Sequence, residues 1–188
     1  MTERRREILD SIAASLAKNG SYAVGMRELA HSAGLNAGTL YHHFRSKDDA
    51  LLSVCMIAHE RVTEDLRAVL REHSDFRRRV EALFEAHCAS LGALGDYLQV
   101  YINLRDQVPP TMRAPLDEGW ASYRRLLGRL FNDAKKSGAI PPQLDNRHLG
   151  RLFVALVQII NRLHKAGRHR EIGEFAPIAV HVLTHGLG

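Results

Sequence analysis

The amino-acid sequence predicts an all-α protein of about nine helices, and three features carry that prediction. Apolar residues recur at intervals of three and four along every long segment. No segment alternates apolar and polar residues as a half-buried strand does. Glycines and prolines separate the periodic segments, as expected of helix ends. The 188-residue chain is 45% hydrophobic and 25% charged, which is ordinary for a globular protein large enough to bury a core.

Residues 1–60 divide into four helical segments. The first ends at Asn19-Gly20, where glycine supplies a C-terminal cap. The second ends at Gly34, and the third runs from Ala37 to Phe44. Ser46, followed three residues later by Asp49, predicts a capping box at the start of a long fourth helix.

Five further helices are predicted beyond this long helix. We expect them at approximately 76–91, in a segment ending at 104, and at 115–136, 145–167 and within 172–186. Gly92 and Gly95 separate the first two because glycine disfavours a helix interior. Pro109-Pro110 and Pro141-Pro142 mark firm breaks, since proline cannot donate a helix hydrogen bond. For the same reason, Pro177 is expected to kink the last helix or to lie near its start.

Charge and cysteine content restrict the class of protein. The formal net charge is +5 and the sequence pI is about 9.5, and most of the positive excess lies within residues 1–47. This distribution suits a polyanionic partner. Cys55 and Cys88 allow neither a disulfide framework nor a paired-cysteine metal motif. The run Arg77–Arg79 is interpreted as the solvated face of a helix.

The expected location is the cytoplasm, without membrane insertion. No apolar run approaches the roughly 20 residues needed to span a bilayer. The charged N-terminus lacks the apolar stretch of a signal peptide.

Catalytic and metal-binding patterns are lacking in the sequence. His181 and His185 stand four residues apart, as zinc ligands can, but no further ligand follows at a suitable spacing. Neither a Ser/His/Asp order, nor a glycine-rich phosphate loop, nor a pair of carboxylates indicates catalysis. We therefore expect no enzymatic activity, no cofactor and no metal ion.

A helix-turn-helix pattern occupies residues 24–52. Gly34 stands where a left-handed residue would end the first short helix, and Asn36 is predicted to cap the second. Leu40 and Phe44, four residues apart, would anchor the inner face of that second helix. This arrangement is shaped for insertion of the second helix into the major groove of DNA.

The second helix of this motif carries most of the candidate DNA-contacting side chains. Its first turn holds small residues that let backbone amides approach a phosphate closely. Further along, Tyr41 supplies a hydroxyl donor and is left facing outward or sideways. The candidate DNA-binding residues are Arg27, Asn36, Ala37, Gly38, Thr39, Tyr41, His42 and Lys47.

Two alternatives stand beside this interpretation. A helical hairpin with a glycine turn is also found in proteins that never meet DNA, so a helical protein-interaction module is the rival function. The run Arg4–Arg6 is either an arm that follows phosphates or the solvated start of the first helix.

The motif resembles the tetracycline-repressor (TetR) family of bacterial regulators over roughly residues 3–60. The resemblance rests on Arg27, Leu29-Ala30, Ala33-Gly34-Leu35, the run Gly38–Phe44, Ser46-Lys47 and Leu51. It implies that residues 36–42 form the recognition helix and that double-stranded operator DNA is the partner. The resemblance further implies a homodimer, with a DNA-binding domain at 2–61 and an effector-binding and dimerisation domain at 62–188.

Individual roles follow from the same resemblance. Thr39, Tyr41 and Lys47 match positions that contact phosphate, whereas Ala37 and His42 match positions near bases. One departure affects the start of the motif's first helix. The family usually places Thr or Ser there to cap the helix and touch a phosphate, but this chain has Gly25. That hydroxyl contact is therefore expected to be absent.

The last two predicted helices carry broad apolar stripes that suit dimerisation. A stripe this wide exceeds what a surface helix needs, and two such helices from each chain would form a four-helix bundle. The candidate interface residues are Leu152, Leu156, Ile159, Ile160, Leu163, Val182 and Leu183. The alternative is that both stripes serve the core of a single chain.

Aromatic and polar residues mingle along 84–105 and 116–131, which suits a mostly apolar cavity with a few orienting polar groups. The candidate effector residues are His87, Tyr101, Arg105, Trp120, Tyr123, Phe153 and Asn161. The runs Leu98–Tyr101 and Arg162–His164 loosely resemble regulators of lipid or sterol catabolism. That resemblance implies an acyl-CoA thioester as the small apolar effector, and a drug-like or other apolar effector is the alternative.

Overall fold

A computed structural model of the chain describes residues 2–21, 23–104 and 108–186. Within these residues the chain is helical and contains no strand, which confirms the predicted fold class. The eight α-helices are α1 (Glu3–Asn19), α2 (Met26–Ser32), α3 (Ala37–His43), α4 (Lys47–Glu72), α5 (Phe76–Leu104), α6 (Arg113–Lys136), α7 (Asn146–Lys165) and α8 (His169–Thr184). A short 3₁₀ helix at Pro110–Met112 precedes α6. None of the helices described is both long and apolar enough to cross a membrane.

The prediction of about nine helices is wrong by one, and the error lies in α5. The sequence places a helix end at Gly92 and Gly95, but α5 continues through both. An interior glycine disfavours a helix by about 1 kcal/mol relative to alanine. Leu91 and Leu98 are buried on either side of the two glycines. Because burial of a leucine stabilises a fold by about 1.5–3 kcal/mol, packing outweighs the low helix propensity.

The paired prolines lie where the sequence predicts breaks, whereas Pro177 lies in the interior of the last helix and not near its start. Pro109-Pro110 and Pro141-Pro142 lie between α-helices. α8, however, begins at His169 rather than near residue 172 and contains Pro177 within it. Proline there cannot donate to the carbonyl of Gly173, and Gly173 is exposed, so water can reach that group.

The chain divides into two compact units. Unit 1 contains Met1–Glu60 and Asp96–Glu118, and unit 2 contains Arg61–Gly95 and Gly119–Gly188. The first of these divisions lies one residue from the end of the predicted DNA-binding domain. The segment Asp96–Glu118, in contrast, groups with the N-terminal residues. As a result α4, α5 and α6 each contribute to both units.

Unit 1 has an apolar core to which α1 contributes a complete stripe. Ile8, Ile12 and Leu16 are each at most 1% exposed. α1 packs on α2, and α2 packs on α3. Each such side chain stabilises the fold by about 1.5–3 kcal/mol when fully buried, so this core holds the short α3 in place.

Unit 2 has a core of aromatic and aliphatic side chains. The rings of Phe76 and Phe131 meet edge to face with their centroids 6.5 Å apart, and those of Phe84 and Phe153 lie 5.6 Å apart. α7 packs on α8, and Ile160 of α7 is fully buried. These contacts join α5, α6, α7 and α8 within unit 2.

Arg79 departs from the solvated face predicted for the run Arg77–Arg79, because it is buried in unit 2. Its guanidinium donates to the carbonyls of His73 at 2.6 Å and Leu70 at 3.2 Å, and pairs with Asp133 at 2.9 Å. A buried charge is tolerated only when it is paired and hydrogen-bonded in this way. Arg79 thus fastens the end of α4 and the start of α5 to α6.

Candidate DNA-binding interface and effector site

The recognition helix, α3, presents polar side chains to solvent because its apolar ones are buried. Leu40 and Phe44 are 0% and 1% exposed, as predicted, whereas Tyr41 is 54% exposed. His42 is exposed and His43 is half-buried. Burial of the two apolar side chains sets the rotation of α3 and directs Tyr41 and His42 outward.

The turn before α3 has the predicted geometry. Gly34 has φ of +67°, a left-handed conformation that glycine adopts without a steric penalty. Oδ1 of Asn36 accepts hydrogen bonds from the backbone N–H of Thr39 at 2.8 Å and from its hydroxyl at 3.0 Å. A Cβ on Gly38 would approach that oxygen to 3.3 Å, so glycine leaves room for the cap. Asn36 and Thr39 therefore stabilise the helix start in the free protein.

The helix before the turn begins without a side-chain cap, as the presence of Gly25 implies. The backbone N–H of Gly25 donates to Oε2 of Glu28 at 2.6 Å. A Cβ at Gly25 would meet Glu28 only at 3.7 Å, which is ordinary van der Waals contact. The fold would accept serine or threonine here, so the missing hydroxyl is a property of this sequence and not a steric requirement.

The two basic candidates lie on α2 and at the start of α4. Arg27 is an exposed residue of α2 and lines a cavity of about 650 Å³ between α1 and α2. Lys47 is the first residue of α4 and is half-buried. The residue before it, Ser46, forms the predicted cap of α4: its hydroxyl accepts a hydrogen bond from the backbone N–H of Asp49 at 3.1 Å. The carboxylate of Asp49 reaches back to the N–H of Arg45 at 2.9 Å.

The N-terminal arginines lie within α1, which favours the helix-start interpretation over a free arm. Arg5 donates to the backbone carbonyl of His43 at 2.6 Å, and its guanidinium lies 4.4 Å from the centre of the Phe44 ring. Arg6 pairs with Asp10 at 3.1 Å. The sequence offered no signal for the contact of Arg5 with α3, because the two residues are far apart in the chain.

Among the candidate effector residues, the structure brings His87 and Asn161 together. Nε2 of His87 lies 2.7 Å from Oδ1 of Asn161, and both side chains are buried in unit 2. Burial lowers the pKa of His87, although its hydrogen bond to Oδ1 of Asn161 acts in the opposite direction, and the nearby His164 lowers the pKa further. Nδ2 of Asn161 is buried without a hydrogen-bond partner in the described part of the chain.

The remaining effector candidates are dispersed. Phe153 packs against Phe84, and Trp120 and Tyr123 are half-buried residues of α6. Tyr101 belongs to unit 1, where its hydroxyl lies 3.0 Å from Nδ1 of His59. Arg105 lies outside the described residues.

The predicted dimer residues fall into two groups. Leu152, Ile159 and Leu163 are half-buried along one face of α7, and Val182 of α8 is 38% exposed. Three others, namely Leu156, Ile160 and Leu183, are buried within the single chain. The half-buried and exposed residues can contact a partner chain, whereas the buried residues pack α7 against α8 within one chain.

Unit 2 also contains a groove that the sequence did not indicate. It lies between α5 and α8 and encloses about 430 Å³, with Phe84, Cys88, Pro177 and Val180 in its lining. Cys88 is half-buried there. The rings of His181 and His185 stack 4.7 Å apart, and the described residues hold no cluster of three potential metal ligands.

Similarity to known proteins covers the helix-turn-helix and extends over nearly the whole chain. Residues 8–54 match the tetR family of bacterial regulatory proteins. The HTH-type transcriptional repressor KstR2 of Rhodococcus jostii (strain RHA1) is 34% identical over 185 residues, which is 98% of this chain and 91% of that protein.

Solved structures share the fold over nearly the whole chain. AibR, in complex with isovaleryl coenzyme A and operator DNA, has a TM-score of 0.80 at 23% identity and covers 97% of this chain and 98% of its own. FadR from Bacillus subtilis, in complex with stearoyl-CoA, has a TM-score of 0.77 at 19% identity, with coverage of 97% and 99%. Together with the nearly full-length match to KstR2, the helix-turn-helix geometry and the family match show that the chain belongs to the tetR family of bacterial regulatory proteins.

Proposed function

We propose that the protein is a dimeric transcriptional repressor that binds operator DNA and is released by a small apolar effector. The observation that carries the proposal is the exposed polar face of α3, which stands on buried Leu40 and Phe44. A recognition helix must enter the major groove with its side chains free and its backbone rigid. The buried inner face and the Asn36 cap supply that rigidity.

Roles at the DNA follow from exposure and chemistry. Tyr41 and Lys47 act on phosphates and position the protein without reading sequence. His42 and Ala37 lie towards the bases. His42 is exposed on α3, so its ring is free to reach them. The N-terminal N–H groups of α3 are partly engaged by Asn36, which leaves the small Ala37–Gly38 surface for close approach to the backbone.

An acyl-CoA thioester is the effector class we propose. Support comes from the CoA ligands named for the AibR and FadR structures. The buried pair His87–Asn161 adds support, since the unmatched Nδ2 donor of Asn161 suits an acceptor such as a carbonyl oxygen. The operator in the AibR complex similarly supports DNA as the partner.

Selection of bound fragments from the parent genome, followed by fluorescence anisotropy on the selected duplex, tests the DNA-binding role. We expect specific binding whose affinity falls steeply with salt, because phosphate contacts release counterions. Binding that is weak, unspecific and independent of salt would contradict the proposal and favour a protein-interaction module.

The effector class is tested on the same complex. Isovaleryl-CoA, stearoyl-CoA and an uncharged apolar drug are titrated against the bound operator, with free coenzyme A as the control. Release by a thioester, in the range of about 5- to 150-fold that is typical of such linkage, supports the proposal. Release by the drug alone would overturn the thioester assignment and leave the DNA-binding role intact.

A further inference from the structure

Helix α5 crosses from unit 2 into unit 1 directly after Gly95. Its first part carries His87, the buried candidate for effector recognition. Its last part, from Asp96 onward, belongs to the compact unit that contains the helix-turn-helix. A single continuous helix therefore carries residues of the proposed effector site and residues that pack with the DNA-reading helices.

Tyr97 ties this last part of α5 to α1. The ring of Tyr97 is 2% exposed, and its hydroxyl donates to Oδ1 of Asp10 at 2.6 Å. Arg6 completes the cluster, with its guanidinium 5.4 Å from the centre of the Tyr97 ring and paired with Asp10. Burial and the Asp10 carboxylate raise the pKa of Tyr97, so the hydroxyl keeps its proton and remains the donor.

α1 in turn holds the C-terminal end of the recognition helix. The neighbour of Arg6, Arg5, donates to the carbonyl of His43, the last residue of α3, at 2.6 Å. The same guanidinium lies over the ring of Phe44, which anchors α3 in the core. A contiguous set of polar and ring contacts thus leads from α5 to α3. It passes through Tyr97, Asp10, Arg6 and Arg5.

A second link fastens α5 to α4. The hydroxyl of Tyr101, one turn after Tyr97, lies 3.0 Å from Nδ1 of the buried His59. Near the start of α4, the hydroxyl of Thr111 donates to Asp48. Polar cross-links therefore connect the described part of the segment 96–118 to helices of the helix-turn-helix domain, and the Tyr97 link is the one among them that leads to α1.

We infer that Tyr97 and Asp10 are positioning residues that transmit a shift of α5 through α1 to the recognition helix. This inference rests on the proposed repressor function. When an effector shifts α5, the Tyr97–Asp10 hydrogen bond draws α1 with it, and Arg5 moves the end of α3. Without that bond, unit 1 remains folded by its apolar core and reads DNA regardless of the effector. The inference predicts a loss of response with little loss of binding, which a purely structural role would not produce.

Four single variants of the whole chain test the transmission. Tyr97→Phe removes only the hydroxyl, and Asp10→Ala removes the acceptor from an exposed helix position. Asp10→Asn keeps an acceptor oxygen and serves as the conservative rescue. Ser90→Ala is the matched control, because it removes a comparable cross-helix hydrogen bond, from Arg61 at 3.0 Å, within unit 2.

Operator affinity is measured by anisotropy for each variant, with and without stearoyl-CoA or isovaleryl-CoA, and thioester affinity is measured separately without DNA. Wild type, Asp10→Asn and Ser90→Ala should show thioester-induced release of about 5- to 150-fold. Tyr97→Phe and Asp10→Ala should bind operator and thioester near the wild-type level, with release of less than about twofold. The double variant should lose no more of the response than either single variant, since both single variants break the same Tyr97–Asp10 hydrogen bond.

The outcomes separate this inference from the function on which it rests. Equal release in wild type, Tyr97→Phe and Asp10→Ala would overturn the transmission role alone. Loss of response in Ser90→Ala to the same extent would overturn it as well, because the effect would then follow general destabilisation. Absence of release from the wild-type protein by either thioester would overturn the proposed effector class and this inference with it.

Discussion

The helix-turn-helix of unit 1 and the α5–α7 region of unit 2 place their polar side chains differently. In the first region Tyr41 and His42 point outward above buried Leu40 and Phe44. In the second, the polar side chain of His87 is inside and satisfied by a residue of another helix. A surface of the first kind meets a partner without reorganising the core. A buried group of the second kind couples any ligand to packing, because leaving it unpaired carries a large energetic cost.

This difference between exposed and buried positions predicts that substitutions of apolar residues in α7 will have the largest effects on folding and on operator affinity. Ile160 is fully buried within one chain, whereas its neighbour Ile159 is half-buried. An aspartate at position 160 should unfold unit 2, since an unpaired buried charge costs about 3–5 kcal/mol. Ile159→Asp should leave the chain folded but monomeric, with operator affinity collapsing because the two half-sites are no longer bound together.

Sedimentation and circular dichroism on the two variants check this prediction. A folded, dimeric Ile159→Asp protein would place the interface away from α7. A folded Ile160→Asp protein would contradict the buried position of that residue.

At the DNA-facing surface the effects should be smaller and confined to binding. Lys47→Ala should weaken binding to all duplex sequences and reduce the slope of log K against log salt by about 0.9, since one phosphate contact is lost. Tyr41→Phe, the matched variant, should weaken binding by losing a hydroxyl contact while keeping the slope. Thermal stability should stay near wild type in both. Anisotropy at several salt concentrations checks this, and an unchanged slope for Lys47→Ala would remove Lys47 from the phosphate-contacting set.

The two glycines of α5 sharpen the comparison within one helix. A Cβ at Gly92 would meet no atom within 4 Å, so Gly92→Ala should stabilise the protein by up to about 1 kcal/mol through helix propensity. A Cβ at Gly95 would lie 3.1 Å from the ring of His164, so Gly95→Ala should gain less or lose stability. Urea denaturation of the two variants measures the difference, and equal stabilisation would show that the His164 ring moves aside freely.

The smallest predicted effect is a pH dependence that originates inside unit 2. Because burial lowers the pKa of His87, the unfolded chain binds this proton more readily than the folded one. The contribution to stability is therefore present above a pH of about 6.5, the ordinary value for histidine, and is lost as the pH falls below it. His87→Gln should flatten the decline of Tm between about pH 7 and pH 5. Differential scanning calorimetry at several pH values checks this, and a parallel decline in both proteins would contradict it.

Much of the first region was predictable because its signals are local. A four-residue spacing identifies Leu40 and Phe44 as the inner face, and Gly34 with Asn36 marks the turn. Caps and helix periodicity depend on residues within one or two turns of each other. The same signals misplaced a helix end at Gly92, where propensity alone favours a break.

The sequence by itself determined the helical class, the exposed face of α3 and the absence of a hydroxyl at Gly25, since each depends on neighbouring residues only. The tertiary structure alone decided that α5 is continuous and that Arg79 is buried against Asp133. It also decided that Tyr97 bonds to Asp10. The physical reason is shared, because the energies that decide these features come from burial and from hydrogen bonds between residues far apart in the chain.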